Sequence, residues 1–318
     1  MNNISKLPNQ FNIDEKVVIF HGNCLDLLKQ IPDRSIQLII TSPPYNIGKE
    51  YEKKLKLDEY IEQQSIVIRQ CERVLTEKGS ICWQVGNYVN NGSIIPLDTI
   101  LFPIFVELDL LMRNRIIWHF EHGLHCSRRF SGRYETIIWF TRKVKDYVFN
   151  LDPVRIPQKY PGKKYFKGPK AGQYSCNPLG KNPGDLWNIP NVKSNHIEKT
   201  DHPCQFPVEL IERLVLSMTN PHDWVFDPFL GTGTSVIASI LNDRRGAGAE
   251  TIKKYYDLAT DRINNALNGT LETRPMHKPI YDPKDAGNNL TIAPWSYTKD
   301  KKQLKLLEKK GDYFIENS

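Results

Sequence analysis

The chain has 318 residues, 40% hydrophobic and 25% charged, with 43 Lys and Arg against 36 Asp and Glu for a formal net charge of +7. That composition fits a globular protein with a sizeable core and excludes a disordered or fibrous chain. No apolar run approaches the ~20 residues that span a bilayer, and the start MNNISKLPNQFNIDEK has no apolar signal core, so a cytoplasmic protein without a membrane partner is expected.

In chain order, residues 16–20 (KVVIF) predict a strand and 24–31 (CLDLLKQI) a helix with apolar residues at helical spacing. Residues 35–40 predict a second strand, broken at Pro43-Pro44 because proline offers no N–H and restrains the residue before it. A helix is expected over 60–75, ended by Lys78-Gly79, then a strand over 80–85, a helix over 97–111, and strands over 115–120 and 135–141. From 152 to 199 periodicity fades and Pro, Gly, Asn, Lys and aromatic residues accumulate, which reads as an inserted recognition segment. Regular signals return with a helix over 207–218, a strand over 223–226, a helix over 234–241, a strand over 245–249 and a helix over 255–266. Strands alternating with helices predict an α/β fold, a mostly parallel, doubly wound sheet covered on both faces. The expected organisation is an N-terminal extension (1–15), one domain in two parts (16–151 and 200–268) around the insertion (152–199), and a C-terminal appendage (269–318).

Two short stretches carry chemistry. Ser42-Pro43-Pro44-Tyr45 places a hydroxyl, rigid backbone and an aromatic ring at a strand end. In WVFDPFLGTGTSV (224–236), an apolar strand meets Asp227, a glycine turn and a helix, the build of a nucleotide-like pocket at a strand's carboxyl end. The G-x-G-x-x-G spacing is absent, but Glu250 ends the next strand, where an acid accepts hydrogen bonds from ribose hydroxyls. By themselves these residues also allow a plainer reading, with Asp227 capping a helix and Glu250 facing solvent. RIPQKYPGKKYFKGPK (155–170) holds six Lys or Arg and no acid among aromatic residues, which suits a phosphate backbone or simply a solvated loop. Six cysteines without a C-x-x-C pair predict free thiols and no metal site.

With Ser42-Pro43-Pro44-Tyr45, Asp227-Pro228-Phe229-Leu230-Gly231-Thr232-Gly233 and the segment from His202-Pro203 through Phe206-Pro207 to Ile211, the chain resembles S-adenosylmethionine-dependent DNA amino-methyltransferases of restriction–modification systems over roughly residues 16–265. Catalytic motif first and cofactor loop last is the circularly permuted order of that family's beta group. The reverse order belongs to the methyltransferases of protein glutamine, which carry N-P-P-Y. The resemblance implies a Rossmann-like fold with S-adenosyl-L-methionine held by Asp227, Pro228, Phe229, Gly231, Thr232, Gly233, Thr234 and Glu250. It adds His202, Pro203 and Phe206 near the methionine end, and Asn23, Cys24 and Leu25 near the adenine. Many relatives have an acid at the position of Asn23, which is equally a helix cap here.

The implied chemistry explains the tetrapeptide. An exocyclic amino nitrogen is a poor nucleophile because its lone pair is conjugated into the base. Acceptors at Ser42 Oγ and the Pro43 carbonyl would free that pair, the prolines would hold them rigid, and Tyr45 would stack an extruded base. Transfer is direct, so no cysteine nucleophile is needed. Ser at the first position points to cytosine N4, with adenine N6 as the alternative and an inactive DNA-binding regulator as the reading from another class. Double-stranded DNA is the expected partner, contacted by Arg128, Arg129, Arg133, Lys159, Lys163, Lys164, Lys167 and Lys170. A cognate restriction endonuclease is a further expected partner, and the enzyme itself would be a monomer or homodimer.

Overall fold

The computed structural model describes residues 7–48, 54–90, 92–123, 125–193 and 195–281. The elements in order are β1 (Val17–His21), α1 (Cys24–Leu28), β2 (Ile36–Thr41), α2 (Leu57–Val74), β3 (Leu75–Val85), β4 (Asn87–Asn90), β5 (Ser93–Pro96), α3 (Leu97–Glu107), β6 (Leu111–His119), β7 (Tyr134–Thr141), a 3-10 turn (Asp152–Val154), β8 (Leu186–Asn188), α4 (Val208–Met218), β9 (Trp224–Asp227), α5 (Thr234–Leu241), β10 (Arg245–Glu250) and α6 (Lys253–Leu267). The chain forms two compact units, residues 1–278 and 279–318, and these elements all lie in the first. Most of the appendage expected from 269 falls outside the described residues, whereas 269–278 belong to the first unit, with Arg274 buried against Glu209.

Eight strands pair in the order β1-β10-β9-β2-β3-β7-β6-β8. The strands from β1 to β3 run parallel, and β7 is antiparallel to both β3 and β6. Alternate side chains feed opposite layers, as the two-residue period of a strand requires. Val18, Ile39, Trp83 and Phe226 join the core under α1, α2 and α3. Ile19, Ile40, Cys82 and Val225 join the core under α4, α5 and α6. The sheet is therefore doubly wound and mostly parallel, as the alternation of strand and helix signals predicts.

Local boundaries differ from the sequence expectation where tertiary pairing decides them. The second helix ends at Val74, not at Lys78-Gly79, because Leu75 turns extended to pair with Ile36. The third helix stops at Glu107, and Leu111 already opens β6. The insertion contributes β8 to the main sheet beside β6, and β4 and β5 form a small hairpin; strands of three and four residues leave too little period to read. Residues 7–15 of the N-terminal extension pack on the sheet, with Phe11 4.9 Å from Trp224 between ring centroids and the Pro8 carbonyl accepting from Ile19 N.

The carboxyl ends of β2 and β9 are joined by one buried side chain. Asp227 is fully buried; its Oδ1 accepts from Thr41 Oγ1 at 2.6 Å and Phe229 N at 3.0 Å, and its Oδ2 accepts from Ser235 Oγ at 2.5 Å. Burial raises its carboxyl to about 6, against the lowering effect of those three hydrogen bonds. The folded state thus holds this proton more tightly than the unfolded chain, whose value is ~3.9, and the associated stability is full below pH ~4 and lost as pH rises through about 6. Asp227→Asn keeps the shape without a charge to bury. Urea unfolding should show Asn gaining on Asp by about 1–2 kcal/mol between pH 5 and pH 8; a difference that does not vary with pH would contradict the raised value.

Candidate active site at the strand carboxyl ends

A cleft of ≈ 570 Å³ opens where β2, β9 and β10 end, within the size range of small-molecule sites. Its walls combine Ser42, Pro43, Pro44 and Tyr45 with Pro228, Phe229, Gly231, Thr232 and Glu250, so segments some 190 residues apart in sequence share one pocket. The helix after β1 adds Asn23, Cys24 and Leu25, and the segment before α4 adds His202 and Phe206.

The loop after β9 takes its shape from two glycines with left-handed backbone, Gly231 (φ 52°) and Gly233 (φ 79°). A Cβ on Gly233 would come within 3.2 Å of Ala259 and Ile263, so the bare position lets α6 close on the loop. Gly231 N donates to Glu250 Oε2 at 2.9 Å and Ile252 N to Glu250 Oε1 at 2.7 Å. Each carboxylate oxygen keeps a second acceptor direction for a ligand in the cleft. Burial raises the Glu250 carboxyl, partly countered by these backbone hydrogen bonds. His202 is buried, its ring edge-on to Tyr255 with centroids 4.3 Å apart.

The tetrapeptide is tied at both ends, through Thr41 and Ser42 before the prolines and Tyr45 and Asn46 after them. Thr41 binds Asp227, Ser42 Oγ lies 3.0 Å from Tyr45 Oη, and Tyr45 Oη donates to Glu135 Oε2 at 3.2 Å. Asn46, in left-handed backbone (φ 59°), donates to the Leu55 carbonyl and accepts from Leu55 N, which ties the end of the tetrapeptide turn to the segment before α2. Burial pushes the Cys24 thiol up to about 12 and holds Cys71 and Cys82 well above the thiol range, and all six cysteines are free. Those three thiols are inert as nucleophiles.

Other expected residues lie elsewhere. Asp227, Gly233 and Thr234 sit beneath or behind the loop, outside the cleft wall, and Pro203 is exposed outside it. Thr234 is buried 3.1 Å from Thr232 Oγ1 and receives a bond from Arg262. Asn23 caps α1, its Oδ1 accepting from Leu25 N at 2.9 Å, and still faces the cleft. Arg128, Arg129, Lys159, Lys163, Lys164, Lys167 and Lys170 are exposed, and half-buried Arg133 donates to the Gly132 carbonyl. The basic segment folds back on itself through bridges between Ile156 and Lys181 and between Lys164 and Tyr174, with Lys164 over the Tyr174 ring at 5.2 Å. Asn177 and Asn182 shape turns, and Trp187 lies buried under Arg213.

Several wall residues escaped sequence reading. Gln64 of α2 is 4% exposed, lines the cleft, and its Oε1 has no hydrogen-bond partner among the described residues. Its signal was present: a polar side chain in the apolar stripe of Tyr60, Val67, Ile68 and Cys71. An acceptor without a partner, bare glycine backbone and an acid at the next strand end fit S-adenosyl-L-methionine in size and polarity. Phe130 is fully exposed between Arg129 and Arg133.

Comparison with known proteins agrees. A DNA methylase family model matches residues 36–261. The Type II methyltransferase M.BglII of Bacillus subtilis is 50% identical over 286 residues, 87% of this chain and 79% of that one. The DNA adenine methyltransferase YhdJ of Escherichia coli (strain K12) is 32% identical over 274 residues, 83% of this chain and 88% of that one. The crystal structure of the Thermus thermophilus protein TTHA0409 complexed with S-adenosyl-L-methionine superposes with a TM-score of 0.56 at 25% identity, over 79% of this chain and 94% of that one. With the paired motifs, the doubly wound sheet and the cleft between them, the chain belongs to the DNA methylase family, the S-adenosyl-L-methionine-dependent amino-methyltransferases of restriction–modification type that act on double-stranded DNA.

Proposed function

We propose that this enzyme methylates the N4 amino group of a cytosine turned out of a specific duplex sequence. The observation that carries the reading is the shared cleft in which Ser42, already bonded to Tyr45, faces the glycine loop and Glu250. The cofactor supplies an electrophilic methyl group, and no covalent enzyme intermediate is required. Ser42 Oγ and the Pro43 carbonyl accept the two amino hydrogens and free the nitrogen lone pair; Tyr45 offers its ring to the extruded base. Glu250 takes the ribose hydroxyls, the backbone of Gly231 and Thr232 lies along the cofactor, and His202 and Phe206 enclose its methionine end. Asn23, Cys24 and Leu25 enclose the adenine, and Asp227 acts from below by holding the loop.

Serine, neutral and able to donate as well as accept, supports cytosine. Adenine N6 is the second reading, favoured by the name of YhdJ at 32% identity. Residues 152–199 are the target-recognition region in this reading, with Lys159, Lys163, Lys164, Lys167 and Lys170 on phosphates. Arg128, Arg129, Arg133 and Phe130 present a second basic, aromatic surface to the duplex. The setting is a cytoplasmic restriction–modification system with a cognate endonuclease, as the Type II name of the 50% identical relative supports.

Incubation with unmethylated duplex DNA and labelled cofactor, followed by mass spectrometry of the nucleosides, should give N4-methylcytosine; N6-methyladenine would replace the base assignment, and unlabelled DNA would end the enzyme reading. Ser42→Ala should lower transfer by roughly 10²-fold while leaving cofactor affinity nearly intact. Glu250→Ala should weaken cofactor binding itself by roughly tenfold in a titration. Replacing Lys163, Lys164 and Lys167 with Ala should flatten the dependence of log K for DNA on log salt by about 0.9 for each phosphate contact removed. An unchanged slope would take the segment off the DNA.

A further inference from the structure

Tyr45 Oη stands in a chain of hydrogen bonds that the transfer reaction above does not use. On one side it lies 3.0 Å from Ser42 Oγ, and on the other it donates to Glu135 Oε2 at 3.2 Å. The same carboxylate oxygen receives the side-chain amide of Gln84, brought alongside by the antiparallel pairing of β3 with β7. We propose that Glu135 is a positioning residue that sets the direction of this chain, so that Ser42 Oγ turns its lone pairs to the amino group being methylated; the proposal rests on the reading of Ser42 as acceptor.

Proton counting carries it. Serine and tyrosine hydroxyls each hold one proton and can point it either way, whereas an ionised carboxylate only accepts. With Glu135 ionised, the Tyr45 proton is committed to Glu135, Tyr45 can only accept from Ser42, and the Ser42 proton is committed to Tyr45. Both remaining lone pairs of Ser42 are then free for amino hydrogens. A protonated Glu135 can donate to Tyr45 and reverse the chain, which aims the Ser42 proton at the substrate. An aspartate at the first position of the tetrapeptide, being acceptor-only, would need no such device. The groups facing Glu135 are Tyr45 from the turn after β2, Gln84 from β3, Lys193 from the segment after β8 and, opposite on β6, uncharged Trp118. Burial raises the Glu135 carboxyl, while Tyr45, Gln84 and Lys193 lower it. The chain thus reverses as pH falls through that raised value, and transfer falls with it.

The test is single-turnover methyl transfer by the full chain, on unmethylated plasmid DNA at saturating labelled cofactor, followed from acid to alkaline pH. Glu135→Gln keeps an acceptor oxygen held by Gln84 but cannot ionise; it should stay within about threefold of wild type at pH 8 and lose the acidic limb of the profile. Glu135→Met removes the acceptor and should lose roughly ten- to hundredfold with cofactor binding intact, and adding Tyr45→Phe should cost little more. A wild-type rate in Glu135→Met, or an acidic limb that is unmoved in Glu135→Gln, overturns the proposal, and the Gln variant decides if the Met variant fails to fold. Ser42→Ala in the same assay separates the two levels. Full transfer by Ser42→Ala removes the underlying reading as well, whereas its loss together with an indifferent Glu135 removes the proposal alone.

Discussion

The hydrogen bonds that converge on Asp227 hold the site together. Thr41 ends the strand that delivers the tetrapeptide, Ser235 lies in the first turn of the helix that follows the glycine loop, and both donate to one fully buried carboxylate. Any displacement of β2 along β9 would strip the buried Thr41 hydroxyl of its acceptor and Asp227 of one of its three donors, a penalty that favours a single register for the two motifs. Asp227, which the sequence motif points to the ligand, lies outside the cleft wall and holds the loop that lines it. The loop it holds offers bare glycine backbone, and Glu250, one strand along, is the carboxylate that reaches the cleft.

Legibility followed the range of each interaction. The strand over 36–41 and the helices over 208–218 and 234–241 were readable because period and composition are local, and the two motifs were readable because proline restricts the backbone and glycine admits left-handed turns at named positions. Gly79 misled because its neighbours propose a helix end, while pairing between Leu75 and Ile36 takes the chain into the sheet earlier. Gln64 could have been found as a polar break in an apolar stripe. Glu135 could not, since nothing in ETIIWFT says that the antiparallel pairing of β3 and β7 will set its carboxylate beside Gln84 and Tyr45.

The insertion is less separate than its composition suggests. Its β8 strand extends the main sheet, Trp187 lies under Arg213 of α4, and Trp118 donates to the carbonyl of Ile189. Just beyond β8, buried Glu198 accepts from the backbone of Val208 and of Arg274, pinning the segment that carries His202 and Phe206 to the start of α4. The portion between Ile156 and Lys181 projects with exposed basic and aromatic side chains. An exposed basic surface is thereby mounted on a frame that shares its hydrogen bonds with the cleft wall.

The pairing of β1 with β10 has a consequence for synthesis. β1 is an edge strand whose partner begins at Arg245, and β2 likewise waits for β9 on one side. On the ribosome the first apolar strand emerges more than 200 residues before the strand that covers it, the kind of long-range closure that slows folding and leaves sticky edges waiting. The cleft around the tetrapeptide is thus incomplete until almost the whole domain has been translated. A truncated nascent chain can present Ser42 but has no β9 or β10 against which to form the pocket.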